Sequence, residues 1–513
     1  MMVRNSGEID GKRFDVAILG GGLGGLQCGY ILAKNGLNVC VIEKNPLAGG
    51  CLQSFRRRGA GDTICEFDTG LHYVGGLDEG QPLNRLFSYF GLLDLPWQKM
   101  DPEGFDEVII NGKSYLFANG HNEFAERMTE YFPHEKENIL KYTALLKKVG
   151  ESLPKSLSPK SSEDVYTGSL FAESAHKYLT ETIGDPLLRE VLSGTSLKME
   201  LSRNLPLYTF AQINNSFIES AYRLQGGGNM VTEKLIEGIE GFGGSVAVNC
   251  EVTSFAGNEI IINNIHKVEA NKIISDLHPA ATMNLASESA GIRKVYRSRI
   301  NRLENTFGMF TANIALKPCT VKYHNRNRYI HKLGQGRSLW DASDNYAARP
   351  TEMTSVLASY YNSPDSSPAN QEYTDRIDLL TPMSWNEVEQ FQQSSVGKRD
   401  RRYNELKEAK LEQVLDFVEE QLPQLRGNIE RVYTSTPLTY MNYTATAQGS
   451  AYGIKKDCSN LMLTLLTPKT PVPNLFLTGQ NLNLHGILGV SMTSFFTSAH
   501  IIGMENAVKG LEF

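Results

Sequence analysis

The sequence predicts an α/β fold in two lobes, one of them a nucleotide-binding lobe assembled from separated stretches of chain. Three observations lead there. Near the N-terminus a buried-type strand, a glycine turn, a helix and a second buried-type strand follow one another, at residues 14–19, 20–25, 26–35 and 38–42. Similar pieces return at residues 223–275 and again towards the C-terminus. The length, 513 residues, is too great for one simple core.

Taken in order, residues 14–19 (FDVAIL) form a short apolar run suited to a strand covered on both faces. Gly36 ends the helix that follows, and residues 38–42 (NVCVI) are the second strand. Residues 51–75 alternate and carry a glycine-rich turn at Gly59 to Gly61, the pattern of a hairpin. From Pro82 to about Asn204 helical periodicity dominates, as in Leu83, Leu86, Phe87 and Phe90 on one helix face. The glycines at 226–228 open a helix over 230–239. A strand at 245–248 and two short strands ending at 272–275 follow. Between 290 and 430 strands alternate with a polar loop at 363–370, and a charged helix lies around 401–422. The chain closes with an extended polar segment (433–454), a strand (474–477) and a helix (490–502).

Composition removes several function classes. A net charge of −6, from 51 basic and 57 acidic residues, speaks against nucleic-acid binding through bulk charge. The seven cysteines are scattered without a C-x-x-C pair, so reduced thiols and a cytoplasmic location are expected. The opening residues lack the apolar core of a signal peptide, and no window is long and apolar enough for a membrane span. The expected protein is soluble or attached to one leaflet by peripheral contact. No metal-ligand cluster and no Ser-His-Asp signature is present, so no metal is expected.

The motifs carry more. Gly20-x-Gly22-x-x-Gly25 lies between strand and helix: Gly20 for the tight turn, Gly22 for backbone approach to a pyrophosphate, Gly25 for close helix packing. The helix N-terminus offers free N–H groups to phosphate. Glu43 ends the second strand, where a carboxylate accepts the ribose hydroxyls. The pair Gly49-Gly50 soon afterwards brings backbone against a diphosphate and argues for FAD over NAD. Near the C-terminus, Gly479, Gly489 and the helix beginning near Val490 aim N–H groups at the edge of a flavin that gains negative charge on reduction.

These motifs, together with residues 49–55 (GGCLQSF), 66–75 (EFDTGLHYVG), 274–279 (ISDLHP) and 436–453 (TPLTYMNYTATAQGSAYG), resemble the FAD-dependent carotenoid and retinoid oxidoreductases. That family holds phytoene desaturases, carotenoid isomerases and all-trans-retinol 13,14-reductases, the retinol saturases. The likeness is closest to the saturase branch: Cys51 stands where desaturases usually carry arginine, and His72-Tyr73 lies in a D-x-G-x-H-Y context. The resemblance implies a glutathione-reductase-like FAD domain from residues 11–80, 222–290 and 430–513. The remainder, 81–221 and 291–429, forms a mixed α/β substrate domain. It implies FAD contacts from Gly20, Gly22, Gly25, Glu43, Gly50, Val252, Gly479, Gly489 and Val490. The implied activity is saturation of a lipophilic conjugated polyene; the alternatives are desaturation or isomerisation on the same fold. A further alternative is a flavin-free lipid escort resembling Rab GDP-dissociation inhibitors.

His72, Tyr73 and His485 are the candidate catalytic residues, able to donate a hydrogen bond or a proton near the flavin. Tyr440 and Tyr443 read as aromatic packing first, or as residues that line the substrate cavity or donate a proton. The basic triplet Arg56-Arg57-Arg58 reads as a solvated hairpin tip or an anion site. The stripe from Leu83 to Leu93 reads as a core helix or a membrane-dipping one. Only one dinucleotide fingerprint is visible, so reducing equivalents are expected to enter the substrate cavity or to come from a partner protein.

Overall fold

Alternation along the first strand decides the architecture around it. In the computed structural model, which describes residues 6–59, 64–157, 165–341, 352–362 and 372–511, Arg13–Leu19 lies between two parallel neighbours, Val39–Ile42 and His266–Ser275. Val16 and Ile18 enter one core with Val39, Val41 and Ile274, while Ala17 and Leu19 enter another with Cys40, Ile42 and Ile273. Both faces are covered, which is why the run is apolar throughout. The sheet runs Ser245–Ala247, Val39–Ile42, Arg13–Leu19, His266–Ser275, Glu259–Ile262, Val252–Ala256. The long strand His266–Ser275 changes partner midway. Its first half pairs antiparallel with Glu259–Ile262, and its last residues pair parallel with Leu475–Leu477.

Register fixes where these strands stop. Leu19 is opposite Ile42 on one side and Ser275 on the other, Ala247 is opposite Ile42, and Leu477 is opposite Ser275. The carboxyl ends of the parallel strands therefore finish along one edge. The glycine-loop helix Leu23–Lys34 covers one face together with the helices Asn229–Gly241 and Gly486–Ile502. Packing is close: a Cβ on Gly25 would overlap the Gly20 carbonyl oxygen. Gln27 Nε2 donates to Ser491 Oγ at 2.8 Å.

The second large sheet runs Ile429–Ser435, Gly308–Leu316, Arg376–Met383, Ser355–Tyr361, Asn327–His331, Asp106–Ile110, Lys113–Phe117. It is antiparallel except between Asn327–His331 and Asp106–Ile110. One face, with Val108, Tyr329, Leu357 and Leu380, packs on the helices His121–Tyr131, Lys136–Ser156 and Leu207–Glu219. The other, with Ile109, Ile330, Val356 and Leu379, packs on the charged helix Arg401–Val418. A small sheet of Val74–Gly75, Ala221–Leu224 and Trp97–Lys99, and the hairpin Ser54–Arg58/Ile64–Asp68, lie beside these.

Several expectations are corrected. The stretch from Pro82 to Asn204 is not helical throughout. Its strands at 97–99, 106–110 and 113–117 are stabilised by partners such as Asn327–His331, more than 200 residues away, which a local window does not contain. The segment 433–454 is extended only as far as Ser435, where the strand Ile429–Ser435 ends. Pro437 occupies the first helical turn and Thr436 and Thr439 form a capping box, producing the helix Pro437–Thr444. Three strands, not two, follow Ser245–Ala247. The helix expected at 490–502 starts at Gly486, one turn earlier, and a short helix, Met504–Ala507, follows it. Leu83, Leu86, Phe87 and Phe90 are buried in the core against Tyr30 and Phe495, as in a core helix, whereas Leu93 lies beyond the helix end and is exposed. Part of the hairpin tip (60–63) and the polar loop at 363–370 lie outside the described residues.

The charged helix carries one buried cation. Lys410 Nζ lies 3.0 Å from Glu387 Oε2, and both side chains are buried. Lys410→Met leaves that carboxylate buried without its partner and is expected to lower stability by about 3–5 kcal/mol. Adding Glu387→Gln removes the orphaned charge and is expected to restore most of the loss. Denaturant midpoints of the two variants check this; equal loss in both would show that the pair is not what matters.

Candidate functional site

The shared strand edge is where the glycine loop, Glu43, Asp276 and Gly479 come together. Each directly follows the last residue or two of a parallel strand. Open α/β sheets bind ligands outside the carboxyl ends of such strands. Glu43 is buried, and both its oxygens are anchored: Oε2 accepts from Gly21 N and Oε1 from Asn45 N, each at 2.8 Å. The Gly49 amide donates to the Gly21 carbonyl at 2.7 Å, clasping the second glycine pair to the first loop. Gly50 has φ +55, and a Cβ there would press on Gly22 Cα at 3.4 Å.

Asp276 lies within the motif at residues 274–279 but is not among the residues expected at the site, and it occupies the centre of this cradle. A Cβ on Gly22 or Gly24 would lie 2.5 Å from one of its carboxylate oxygens, and a Cβ on Gly479 would overlap the carboxylate as well. It accepts from the backbone of Gly25 and Gly22. Burial pushes its carboxyl up to about 7, against those hydrogen bonds and with the charge of Glu43 adding to the rise. The signal for it in the sequence is positional: an acidic residue just past a parallel strand that neighbours the fingerprint strand.

These groups open on a cavity of about 720 Å³. Gly20, Gly22, Glu43, Gly50, Val252, Gly479 and Val490 line it. Gly25 and Gly489 do not; each allows close backbone packing, Gly489 against the Leu484 carbonyl. The residues fit an FAD: a glycine cradle that side chains would fill, a helix N-terminus, and a carboxylate at the ribose position. The opposite wall comes from the second sheet and its helices, through residues such as Met309, Tyr329, Leu357, Leu380, Ile213 and Phe217.

His72, Tyr73 and His485 all line this cavity. His72 Nδ1 is 3.1 Å from Tyr361 Oη and 3.9 Å from Asp378. Burial, with Arg223 adding to it, lowers His72 to about 4, while burial raises Asp378 to about 7. The wider separation is consequently a contact between groups driven towards neutrality, not a strong ion pair. His485 precedes the helix Gly486–Ile502. Its Nε2 lies 3.0 Å from the Lys198 carbonyl, which can only accept, so Nε2 carries the hydrogen. Burial lowers this imidazole also to about 4. Tyr73 Oη donates to Asp106 Oδ2 at 2.9 Å and lies 2.5 Å from Tyr329 Oη.

Tyr440 lines the cavity and bonds Thr311 Oγ1 at 2.7 Å, whereas Tyr443 is exposed and lies outside it. Arg56 pairs with Glu66, and Arg57 stacks on Phe55, as in a solvated hairpin. The Gly226–228 cluster receives a carboxylate from the chain itself: Gly228 N donates to Asp68 Oδ1 at 2.8 Å. Two groups escape sequence reasoning because only the fold brings them here. Lys198 lines the cavity and pairs with Asp106. Gln212 lines it with both amide atoms buried and without a hydrogen-bond partner among the described residues. Buried polar groups are nearly always bonded, so this amide marks a place where a ligand is expected to supply the partner.

Among the described residues no helix is long and apolar enough to cross a membrane. Residues 18–90 match the model of an NAD(P)-binding Rossmann-like domain. The chain is 28% identical to the all-trans-retinol 13,14-reductase of Danio rerio, over 96% of this chain and 86% of that one. It is 23% identical to the chloroplastic prolycopene isomerase of Daucus carota, over 92% and 77%. Among solved structures, a putrescine oxidase variant superposes with a TM-score of 0.60 at 15% identity, covering 96% of this chain and 99% of that one. The strand-edge geometry and the solved-structure likeness agree on the fold, and over nearly its full length the chain is similar to the all-trans-retinol 13,14-reductases and, at lower identity, to a prolycopene isomerase.

Proposed function

We propose that this protein binds FAD and reduces a carbon-carbon double bond of a lipophilic conjugated polyene, a retinoid or carotenoid. One observation carries the reading: the dinucleotide apparatus and a largely apolar, aromatic wall face the same cavity. On this reading Gly20, Gly22, Gly50 and Gly479 admit the backbone to the diphosphate, Glu43 takes the ribose, and Val252 faces the adenosine side. Gly25, Gly489 and Val490 keep the helices close enough to present their N–H groups. Residues 11–80, 222–290 and 430–513 form the FAD domain, and 81–221 with 291–429 the substrate domain. Bound flavin supplies a hydride. His72, Tyr73 and His485 are the catalytic candidates. With both imidazoles held neutral, the two histidines act as hydrogen-bonding groups that orient ligand, not as acids. The apolar wall excludes water from the reacting carbons. Isomerisation is the second reading, favoured by the alignment to a prolycopene isomerase.

The decisive experiment is anaerobic. Protein reconstituted with FAD and chemically reduced is expected to be reoxidised by a retinoid or carotenoid in liposomes, with a blue-shifted product two hydrogens heavier. An unchanged product mass selects isomerisation, and turnover of small polar substrates alone would overturn the polyene. Absence of flavin bands after reconstitution would overturn FAD binding itself.

Glu43→Gln removes the charge and, because the amide nitrogen cannot accept, keeps only one of the two loop contacts. Hydrogen bonds to charged groups exceed neutral ones by roughly 1–1.5 kcal/mol, so FAD affinity is expected to fall about tenfold, read by titration of the FAD-free protein. Unchanged affinity would remove Glu43 from the ribose site.

Gln212→Leu separates ligand binding from folding. An unpaired buried amide costs about 1–3 kcal/mol, so the ligand-free variant is expected to be more stable by an amount of that order and to bind its polar ligand group more weakly. Denaturant unfolding without ligand, beside FAD and retinoid titrations, tests both halves. A less stable ligand-free variant would mean that the amide is already satisfied.

A further inference from the structure

Saturating a carbon-carbon double bond takes a hydride at one carbon and a proton at its neighbour, and a dry cavity wall must hold the acid that gives the proton. The cavity's two candidate histidines are neutral, and burial drives the Tyr73 and Tyr329 hydroxyls further from ionisation. Lys198 differs. It ends the short 3₁₀ turn Ser196–Lys198, lines the cavity, and its side chain is only 6% exposed. Its ammonium donates to Asp106 Oδ2 at 2.8 Å and sits 4.1 Å from the Phe217 ring centroid, with Tyr73, Phe105 and Tyr329 at 5.3–5.7 Å. One of three N–H groups is thereby bonded to the carboxylate, while the rest meet ring faces. Asp106 is fully buried and is held from three further directions, by Tyr73, by Asn327 Nδ2 at 3.2 Å and by its own strand.

We propose that Lys198 is the proton donor of the reduction and that Asp106 is its positioning residue. The inference rests on the reading of function above. As the hydride reaches one carbon from reduced flavin, the π pair of the double bond takes a proton from Lys198 Nζ at the other. The ammonium becomes a neutral amine and regains its proton from solvent after product leaves. Burial lowers the Lys198 pKa and Asp106 opposes that, so the ammonium is a stronger acid than that of lysine in water. The other titratable groups on this wall are Tyr73, Tyr329, Tyr452 and His485, the last through the Lys198 carbonyl.

The test uses full-length, FAD-reconstituted protein with all-trans-retinol or a carotene in liposomes, reduced anaerobically. Lys198→Arg keeps the cation and its partner but cannot release a proton. It is expected to bind FAD and the polyene within about threefold of the parent while flavin reoxidation slows at least a hundredfold. Lys198→Met, if it folds, is expected to recover part of the rate with added methylammonium. Asp106→Asn removes the charge that supports the ammonium, so the fall of rate with rising pH is expected to move to lower pH; a purely structural carboxylate would leave that limb in place. With ¹³C at the lysine Cε, one resonance is expected to titrate below the usual lysine value of about 10.4 and to vanish in Lys198→Arg. An arginine variant within tenfold of the parent rate, or no such resonance, overturns the assignment while the polyene reading stands. A parent protein that reduces no polyene overturns both.

Discussion

The carboxylate of Asp276 sits where three segments of chain meet, and the nucleotide side of the molecule is arranged around it. Gly22 and Gly24 at the start of the helix Leu23–Lys34, Gly479 after the last strand, and the end of His266–Ser275 close on it at distances that no side chain would permit. This works only because the parallel strands stop at one edge, with Leu19 in register with both Ile42 and Ser275. A slip of one residue would turn Val16 and Ile18 towards the opposite core and carry Glu43 and Asp276 away from the loop. Both cores of that sheet therefore specify the geometry of the cradle.

A carboxyl raised to about 7 at a helix N-terminus has a definite consequence. Its folded-state value lies above the unfolded one, so the native state holds the extra proton and this group's contribution to stability declines as pH rises towards 7. A diphosphate at the same N–H groups would favour the protonated form further, since like charges oppose each other's ionisation.

The far wall follows a different logic. The second sheet joins Asp106–Ile110 to Asn327–His331 in parallel, placing Asp106 opposite Asn327 and Tyr329 two residues along. Tyr73, preceding Val74–Gly75, reaches the same carboxylate, and Lys198 reaches it from a turn between helices. A charged pair enclosed by aromatic rings is costly unless its hydrogen bonds are complete, and here the carboxylate's are. The same wall leaves Gln212 unsatisfied, so polar capacity facing the cavity is concentrated on a few groups in an otherwise apolar surface.

Features that lie close together along the chain are legible in the sequence itself. The strand, glycine turn and helix around Gly20, Gly22 and Gly25, and Glu43 at the next strand's end, follow from steric and periodic rules acting over about 30 residues. The likeness of residues 66–75 and the C-terminal motif extends that reading to FAD and to polyenes. Strands paired across long separations are not legible, because Asp106–Ile110 owes its conformation to Asn327–His331, and a helical window sees only neighbours. Pro437–Thr444 is a local miss: the proline and its capping box are present in the sequence and outweigh the polar character of the segment. Lys198, Asp106, Gln212 and Asp276 look in sequence like ordinary polar residues. Tertiary packing alone decides that they are buried, and burial is what turns a polar side chain from a solvated surface group into one that must find a partner, shift its proton affinity or hold a ligand.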